Sequence, residues 1–71
     1  MLSFELANEG QAIQICCDSE GLATLIRALE RVRTSGHLHL RTSANGRREL
    51  SETNPLGKPT IGEVIITTGG D

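Results

Sequence analysis

The chain has 71 residues, which is enough for one domain (residues 1–71) and leaves no room for a second. Its formal charge of −2 and its single aromatic residue, Phe4, argue against a nucleic-acid surface, which relies on positive charge and on rings that stack bases. The sequence has no signal-peptide pattern and no apolar run near the ~18–20 residues of a membrane span, so we expect a soluble protein without a membrane partner.

Two segments at the start of the chain alternate between apolar and polar residues. Such alternation is typical of half-buried β-strands, and it covers residues 2–7 and residues 12–17. The turn cluster Asn8-Glu9-Gly10 separates them, so the sequence predicts a hairpin. The side chains expected to face the core are Leu2, Phe4, Leu6, Ile13, Ile15 and Cys17.

The next segment, about residues 19–35, is the only convincing helix in the sequence. Asp18 or Ser19 can cap its start, and Gly36 suits the left-handed position that ends a helix. Apolar residues recur with the 3.6-residue period of one helix face. These residues are Leu22, Leu25, Ile26, Leu29 and Val32. We expect this stripe to cover one face of a β-sheet.

The second half of the sequence predicts two further strands and one long connection. Residues 37–42 alternate leucines with polar side chains, and residues 63–68 are rich in β-branched residues. Residues 43–62 contain several helix and strand breakers and predict a long loop, or a partial hairpin that turns at Asn45-Gly46. Residues 69–71 are expected to form a frayed tail.

The order ββαββ predicts an α+β fold with two layers, a mainly antiparallel four-stranded sheet and one helix on one face. We favour the strand order 2-1-3-4 with a right-handed crossover, and a mixed sheet with strand three beside strand two is the alternative. A single helix leaves the other face exposed and polar. That face would carry Ser3, Glu5, Gln14, Cys16, His37, His39, Arg41 and Thr67, with Ile65 as an apolar exception that suggests a partner or a dimer contact.

The candidate chemical groups do not add up to an active site. His37 and His39 share one strand face and could chelate zinc or copper, but a site needs further ligands, so a hydrogen-bonded pair is the favoured interpretation. Cys16 and Cys17 are adjacent, form no zinc-type pair, and are interpreted as structural thiols that suit the reducing cytoplasm. The nine acidic residues are dispersed. We expect no enzyme activity, no metal and no cofactor.

Several short motifs resemble a known protein family. A Glu-Gly-Leu at a helix start, a four-turn helix and a His-Leu-His-Leu strand are together similar to the Imm32-type immunity proteins of bacterial polymorphic toxin systems. The matching stretches are Glu20-Gly21-Leu22, His37-Leu38-His39-Leu40, Glu49-Leu50-Ser51 and Glu63-Val64-Ile65-Ile66. The proline-containing loop after Thr42 departs from the family pattern. The resemblance implies a small cytoplasmic protein that binds and blocks a toxin domain, without catalytic residues.

The sequence therefore predicts a protein-binding module, with an immunity protein against a cognate toxin as the leading hypothesis. A homodimeric scaffolding domain is the alternative, and a histidine-based metal-binding domain is the third hypothesis. The residues expected to contact a partner are Glu5, Gln14, His37, His39, Arg41, Arg47 and Arg48.

Overall fold

The chain forms four strands and, within the described part, one α-helix. The computed structural model describes residues 1–53, 57 and 59–69. The elements are β1 (Leu2–Ala7), β2 (Ala12–Cys17), α1 (Ser19–Ser35), β3 (His37–Arg41) and β4 (Glu63–Thr67), with short 3₁₀ helices at Asn8–Gly10 and Ser43–Asn45. The predicted α+β class is confirmed, and the element bounds agree with the predicted ones to within one residue. The predicted loop 43–62 and tail 69–71 lie partly outside the described residues.

The strands pair as two antiparallel hairpins. In the first hairpin β1 pairs with β2 from Leu2 opposite Cys17 to Ala7 opposite Ala12, as the alternation predicts. Its turn places Asn8 and Glu9 at positive φ, a conformation that asparagine tolerates better than most residues. In the second hairpin β3 pairs with β4 from His37 opposite Thr67 to Arg41 opposite Glu63.

The two hairpins do not join into the predicted four-stranded sheet. In the described residues the strands form two separate two-stranded sheets, so neither the order 2-1-3-4 nor the alternative pairing of β3 with β2 is observed. The connection after β3 supplies the reason. Ser51 N donates to Leu2 O at 2.7 Å, Ile61 N donates to Phe4 O at 2.8 Å, and Leu50 N donates to Arg41 O at 3.0 Å. This connection therefore occupies backbone groups through which β1 and β3 could have paired.

Helix α1 begins and ends where the sequence predicts. The Asp18 side chain caps it by accepting from Gly21 N at 2.8 Å. Gly36, at φ 78°, ends it and donates its N–H to Val32 O at 2.7 Å. Both caps satisfy backbone groups that a helix terminus leaves without partners.

The predicted apolar stripe of α1 is only partly buried. The buried line runs through Gly21, Ala28 and Val32, whereas Leu22, Ile26 and Leu29 are 47%, 49% and 51% exposed. The helix is turned about its axis relative to the prediction, so that this line rather than the centre of the stripe faces the core. Gly21 allows this orientation, because without a side chain the helix backbone can approach its neighbours. A Cβ atom at Gly21 would lie 1.7 Å from Met1 O. The prediction that the whole stripe covers the sheet is therefore wrong.

The core lies where α1 meets both hairpins. Its buried side chains are Leu2, Phe4, Ala28, Leu40 and Leu50, and half-buried residues such as Leu25, Leu38, Ile61, Val64 and Ile66 pack against them. The prediction that Ser3 and Glu5 lie on an exposed polar face is wrong, since they are 0% and 1% exposed. Strand β1 is paired with β2 on one edge and with Ser51 and Ile61 on the other, which places it inside the fold.

Candidate functional site

A chain of hydrogen bonds runs across the polar face of the β3–β4 hairpin. Thr67 Oγ1 lies 3.0 Å from His37 Nδ1, His37 Nε2 lies 2.7 Å from His39 Nε2, and His39 Nδ1 lies 2.9 Å from Glu63 Oε2. Arg41 Nε donates to the same Glu63 oxygen. Strand alternation places His37, His39 and Arg41 on one face, and the register brings Glu63 and Thr67 beside them. We call these five residues the histidine network.

The charge of Glu63 favours one arrangement of protons along this network. Hydrogen bonds from His39 and Arg41 hold the pKa of the Glu63 carboxyl below its ordinary value, so it accepts protons in hydrogen bonds rather than donating them. The 2.9 Å contact with Glu63 favours the neutral His39 tautomer with its proton on Nδ1, against the longer 3.3 Å contact of Arg41 Nη2 with the same nitrogen, and in that tautomer Nε2 is an acceptor. His37 Nε2 must then donate, and the Thr67 hydroxyl completes the chain by donating to His37 Nδ1.

Only some of the predicted partner-binding residues lie together. His37, His39 and Arg41 belong to the histidine network, and Arg47 joins its edge through Glu49, which accepts from Arg41 N at 3.1 Å and from Arg47 Nη1 at 3.4 Å. Arg48 is exposed on the connection after β3. Sequence reasoning placed Thr67 on the same polar face but missed Glu63, although aligning β3 with β4 as a hairpin would have placed it beside the histidines as well.

The remaining predicted residues, Glu5 and Gln14, belong to the first hairpin. Gln14 is exposed, whereas Glu5 is 1% exposed and accepts a hydrogen bond from Cys16 Sγ at 3.4 Å. Desolvation, the hydrogen bond to Glu5 and the Glu5 charge together raise the pKa of the Cys16 thiol. Glu5 is therefore a buried structural group, and the prediction that it meets a partner at the surface does not match its burial.

A second surface, which the sequence did not predict, is apolar and exposed. It comprises Leu6, Ile13, Ile15, Leu22, Ile26 and Leu29, with exposed fractions between 46% and 64%. We call it the β2–α1 apolar surface. Sequence reasoning assigned all six side chains to the core, because alternation and helical period group residues by face without saying whether that face is covered.

The six residues of this surface form two groups, three on one face of the β1–β2 hairpin and three on one flank of α1. Ile13 is opposite Leu6 in the hairpin register, and Ile15 is two residues further along the same face of β2. Helix α1 follows β2 after one residue and contacts it. The opposite flank of the helix, with Thr24 and Arg31, instead lines a cleft of about 210 Å³ against β3. The flank with Leu22, Ile26 and Leu29 is turned away from this cleft.

Two further observations concern metals and membranes. Among the residues that the structure describes, no group of three or more His, Cys, Asp or Glu side chains is placed to hold a metal ion. Within the same residues, no helix combines the length and hydrophobicity that a membrane crossing requires.

Comparison with known proteins adds no family assignment. No family model, no curated protein and no solved structure matches the chain. The similarity to Imm32-type immunity proteins therefore stays a prediction from the short motifs.

Proposed function

We propose that the chain is a non-enzymatic protein-binding module that docks its partner on the β2–α1 apolar surface. The supporting observation is the exposure of six large aliphatic side chains on adjoining elements of a small domain. Their exposed area is on the order of 600 Å², which is at the upper end for the largest apolar patch of a typical monomer. It also approaches the ~800 Å² per partner of a standard protein interface.

The partner that we propose is a bacterial toxin domain, which this protein would bind and block in the cytoplasm. The motif resemblance supplies this hypothesis, and the two free cysteines, Cys16 and Cys17, are consistent with a reducing compartment. The apolar surface would supply most of the binding free energy. Charged side chains at its border, such as Glu30 and Arg33 beside Ile26 and Leu29, would orient the partner.

The test is binding and growth rescue with a toxin-like protein whose gene neighbours that of this chain. We expect a 1:1 complex, and we expect Ile26→Lys to weaken it by at least about 100-fold because a charge would be buried in the apolar interface. Ile65→Lys is the matched control, since Ile65 is 55% exposed but lies on β4, outside the apolar surface. Equal losses in the two variants would reject the docking site, and absence of both binding and rescue would reject the immunity function.

A second candidate function is self-association through the same surface, as in a homodimeric scaffold. Strand β2 supports it, because residues 12–17 contain no charged side chain and β2 pairs on only one edge among the described residues. Exposed edge strands are normally protected by charge or proline. Sedimentation equilibrium separates the candidates: a dimer that Ile13→Lys dissociates favours the scaffold, and a stable monomer favours the inhibitor.

A further inference from the structure

We propose that the cleft between α1 and β3 is a binding site for a small phosphate monoester, held by the guanidinium groups of Arg27, Arg31 and Arg47. The cleft has a volume of about 210 Å³, and all three arginines line it. We call it the arginine cleft. It is separate from the β2–α1 apolar surface and does not depend on the proposed protein-binding function.

The arginines come to this cleft from two parts of the chain. Arg27 and Arg31 are four residues apart on α1 and therefore share one face of the helix, while Arg47 belongs to the connection after β3. Among the described residues that line the cleft, Glu49 is the one carboxylate, so the arginines leave an excess of two positive charges. The whole chain carries −2, so this positive region is a local feature of the fold.

Most of the N–H donors of these arginines remain available to a ligand. Arg27 Nη2 donates to Thr24 Oγ1 at 3.4 Å, and within the described part of the chain neither Arg27 nor Arg31 forms an ion pair. A guanidinium has five N–H donors, so one such contact leaves the others free to bind an anion. Glu30, which follows Arg27 on the same helix, lines a neighbouring depression rather than the cleft.

The remaining polar side chains of the lining already have partners. Glu49 accepts from Arg41 N on one carboxylate oxygen, at 3.1 Å, and from Arg47 Nη1 on the other, at 3.4 Å. The carboxylate therefore holds Arg47 at the wall of the cleft and leaves its other donors unused. His39 also lines the cleft, but both of its ring nitrogens are engaged in the histidine network. The arginines are thus the groups left to recognise a ligand.

The charge and shape of the lining favour a phosphate monoester over other anions. A phosphate monoester carries roughly −1.5 to −2 near pH 7, which matches the excess of two positive charges, whereas a carboxylate carries only one negative charge. The planar guanidinium group also pairs with phosphate oxygens through two parallel hydrogen bonds. Between the arginines, Ala28, Leu38 and Leu40 supply apolar surface for the carbon part of an ester.

The volume of the cleft limits the size of this ligand. Pockets for drug-sized ligands span about 300–1,000 Å³, so 210 Å³ suits a phosphate with one small organic group rather than a nucleotide. Phenyl phosphate has this composition and is the probe that we choose.

The test is a titration with phenyl phosphate, followed by calorimetry and by the backbone amide signals in nuclear magnetic resonance. We expect one ligand per chain, with a dissociation constant on the order of 1 mM or below, as is usual for so small a ligand. Arg27→Gln and Arg31→Gln should each weaken binding about 10-fold or more, because each removes charge-assisted hydrogen bonds to the phosphate. Arg31→Lys should restore only part of the affinity, because an ammonium group lacks the planar fork.

Arg33→Gln is the matched control, because it removes the same charge from the same helix. Arg33 lines a different depression, with Ile26 and Leu29, so its loss should leave the affinity nearly unchanged. Equal losses in Arg31→Gln and Arg33→Gln would overturn the arginine cleft as the site. Absence of any amide shift at about 10 mM phenyl phosphate would do the same. The amide spectrum of each variant also shows whether its fold is retained.

Two further ligands test the chemistry of recognition. Phenyl sulfate has a similar shape but a single negative charge, so it should bind at least about 5-fold more weakly than phenyl phosphate. Equal affinity would overturn the preference for a dianion. A phosphotyrosine peptide carries the same phosphoryl group on a protein chain and should bind no more tightly than phenyl phosphate. Much tighter binding of the peptide would overturn the small free ester as the ligand.

Discussion

The two hairpins have similar alternating sequences and different environments. In the β1–β2 hairpin the polar residues Ser3 and Glu5 are buried together with Leu2 and Phe4, while Ile13 and Ile15 on β2 are exposed. In the β3–β4 hairpin Leu40 is buried, and the histidine network faces outward. Alternation therefore groups side chains by face correctly in both hairpins. It does not say which face, or which strand of the pair, the rest of the chain covers.

The difference follows from the position of each strand. Strand β1 is central, because β2 pairs with one edge while Ser51 and Ile61 bind the other. Strand β2 is peripheral, because in the described part of the chain it pairs with β1 on one edge and with no strand on the other. A single 17-residue helix cannot cover both hairpins, and it favours the junction between them. The uncovered apolar residues are what remains available for a partner.

The most direct test of the difference between the two hairpins is to truncate one apolar side chain in each. Leu40→Ala should lower the free energy of unfolding by ~2–5 kcal/mol, because Leu40 is 3% exposed and its removal leaves a cavity. Ile13→Ala should change it by under about 1 kcal/mol, since Ile13 is 64% exposed. Urea denaturation measures both values. Similar losses in the two variants would show that the β2–α1 apolar surface is covered within one chain.

A substitution at the start of α1 tests how closely the helix approaches the first hairpin. Gly21→Ala should destabilise the fold by roughly 1–3 kcal/mol, because the new methyl group would overlap the Met1 carbonyl and push the strand and helix apart. Gly69→Ala is the matched control, since no atom lies within 4 Å of a Cβ built there. Thermal denaturation compares them, and an unchanged melting temperature for Gly21→Ala would contradict the close approach.

Lowering the pH should reduce the stability of the fold by less than these substitutions do. One carboxylate in each half of the molecule contributes to this loss. Hydrogen bonds from the N-terminal amine and from Gly21 N lower the pKa of Asp18, and those from His39 and Arg41 lower the pKa of Glu63. A carboxyl whose pKa is lower in the folded state stabilises the fold above its unfolded pKa, near 3.8 for Asp18 and 4.5 for Glu63. That contribution is lost as the pH falls through the folded value.

The measurement is the urea midpoint between pH 7 and pH 2. We expect the urea midpoint of Asp18→Asn to fall less at low pH, because this variant lacks the carboxylate that caps α1. The midpoint of Glu63→Gln should also fall less, because it lacks the carboxylate of the second hairpin. Glu9→Gln is the control, because Glu9 is exposed in the turn after β1. A decrease that stays the same in the Asp18 and Glu63 variants would assign acid sensitivity to other groups.

The local elements were predictable because their signals are local. Asp18 and Gly36 mark the helix ends through backbone hydrogen bonds within a few residues, and the turn at 8–10 fixes the register of the first hairpin. Three of the five residues of the histidine network were predictable in the same way, since His37, His39 and Arg41 share a strand face by spacing alone. The contacts of Glu63 and Thr67 were not, because they depend on the register of a strand more than twenty residues away.

The sequence by itself determined where the helix and strands begin and end, which side chains share a face, and that two imidazoles stand side by side. Only the tertiary structure decided that β1 lies at the centre and β2 at the periphery, because Ser51 and Ile61 take the backbone groups of β1 that β3 would otherwise use. It also decided that α1 is buried along Gly21, Ala28 and Val32, with room for close backbone approach at Gly21. The physical reason is competition for a few buried positions, whose outcome depends on contacts between residues far apart in the chain.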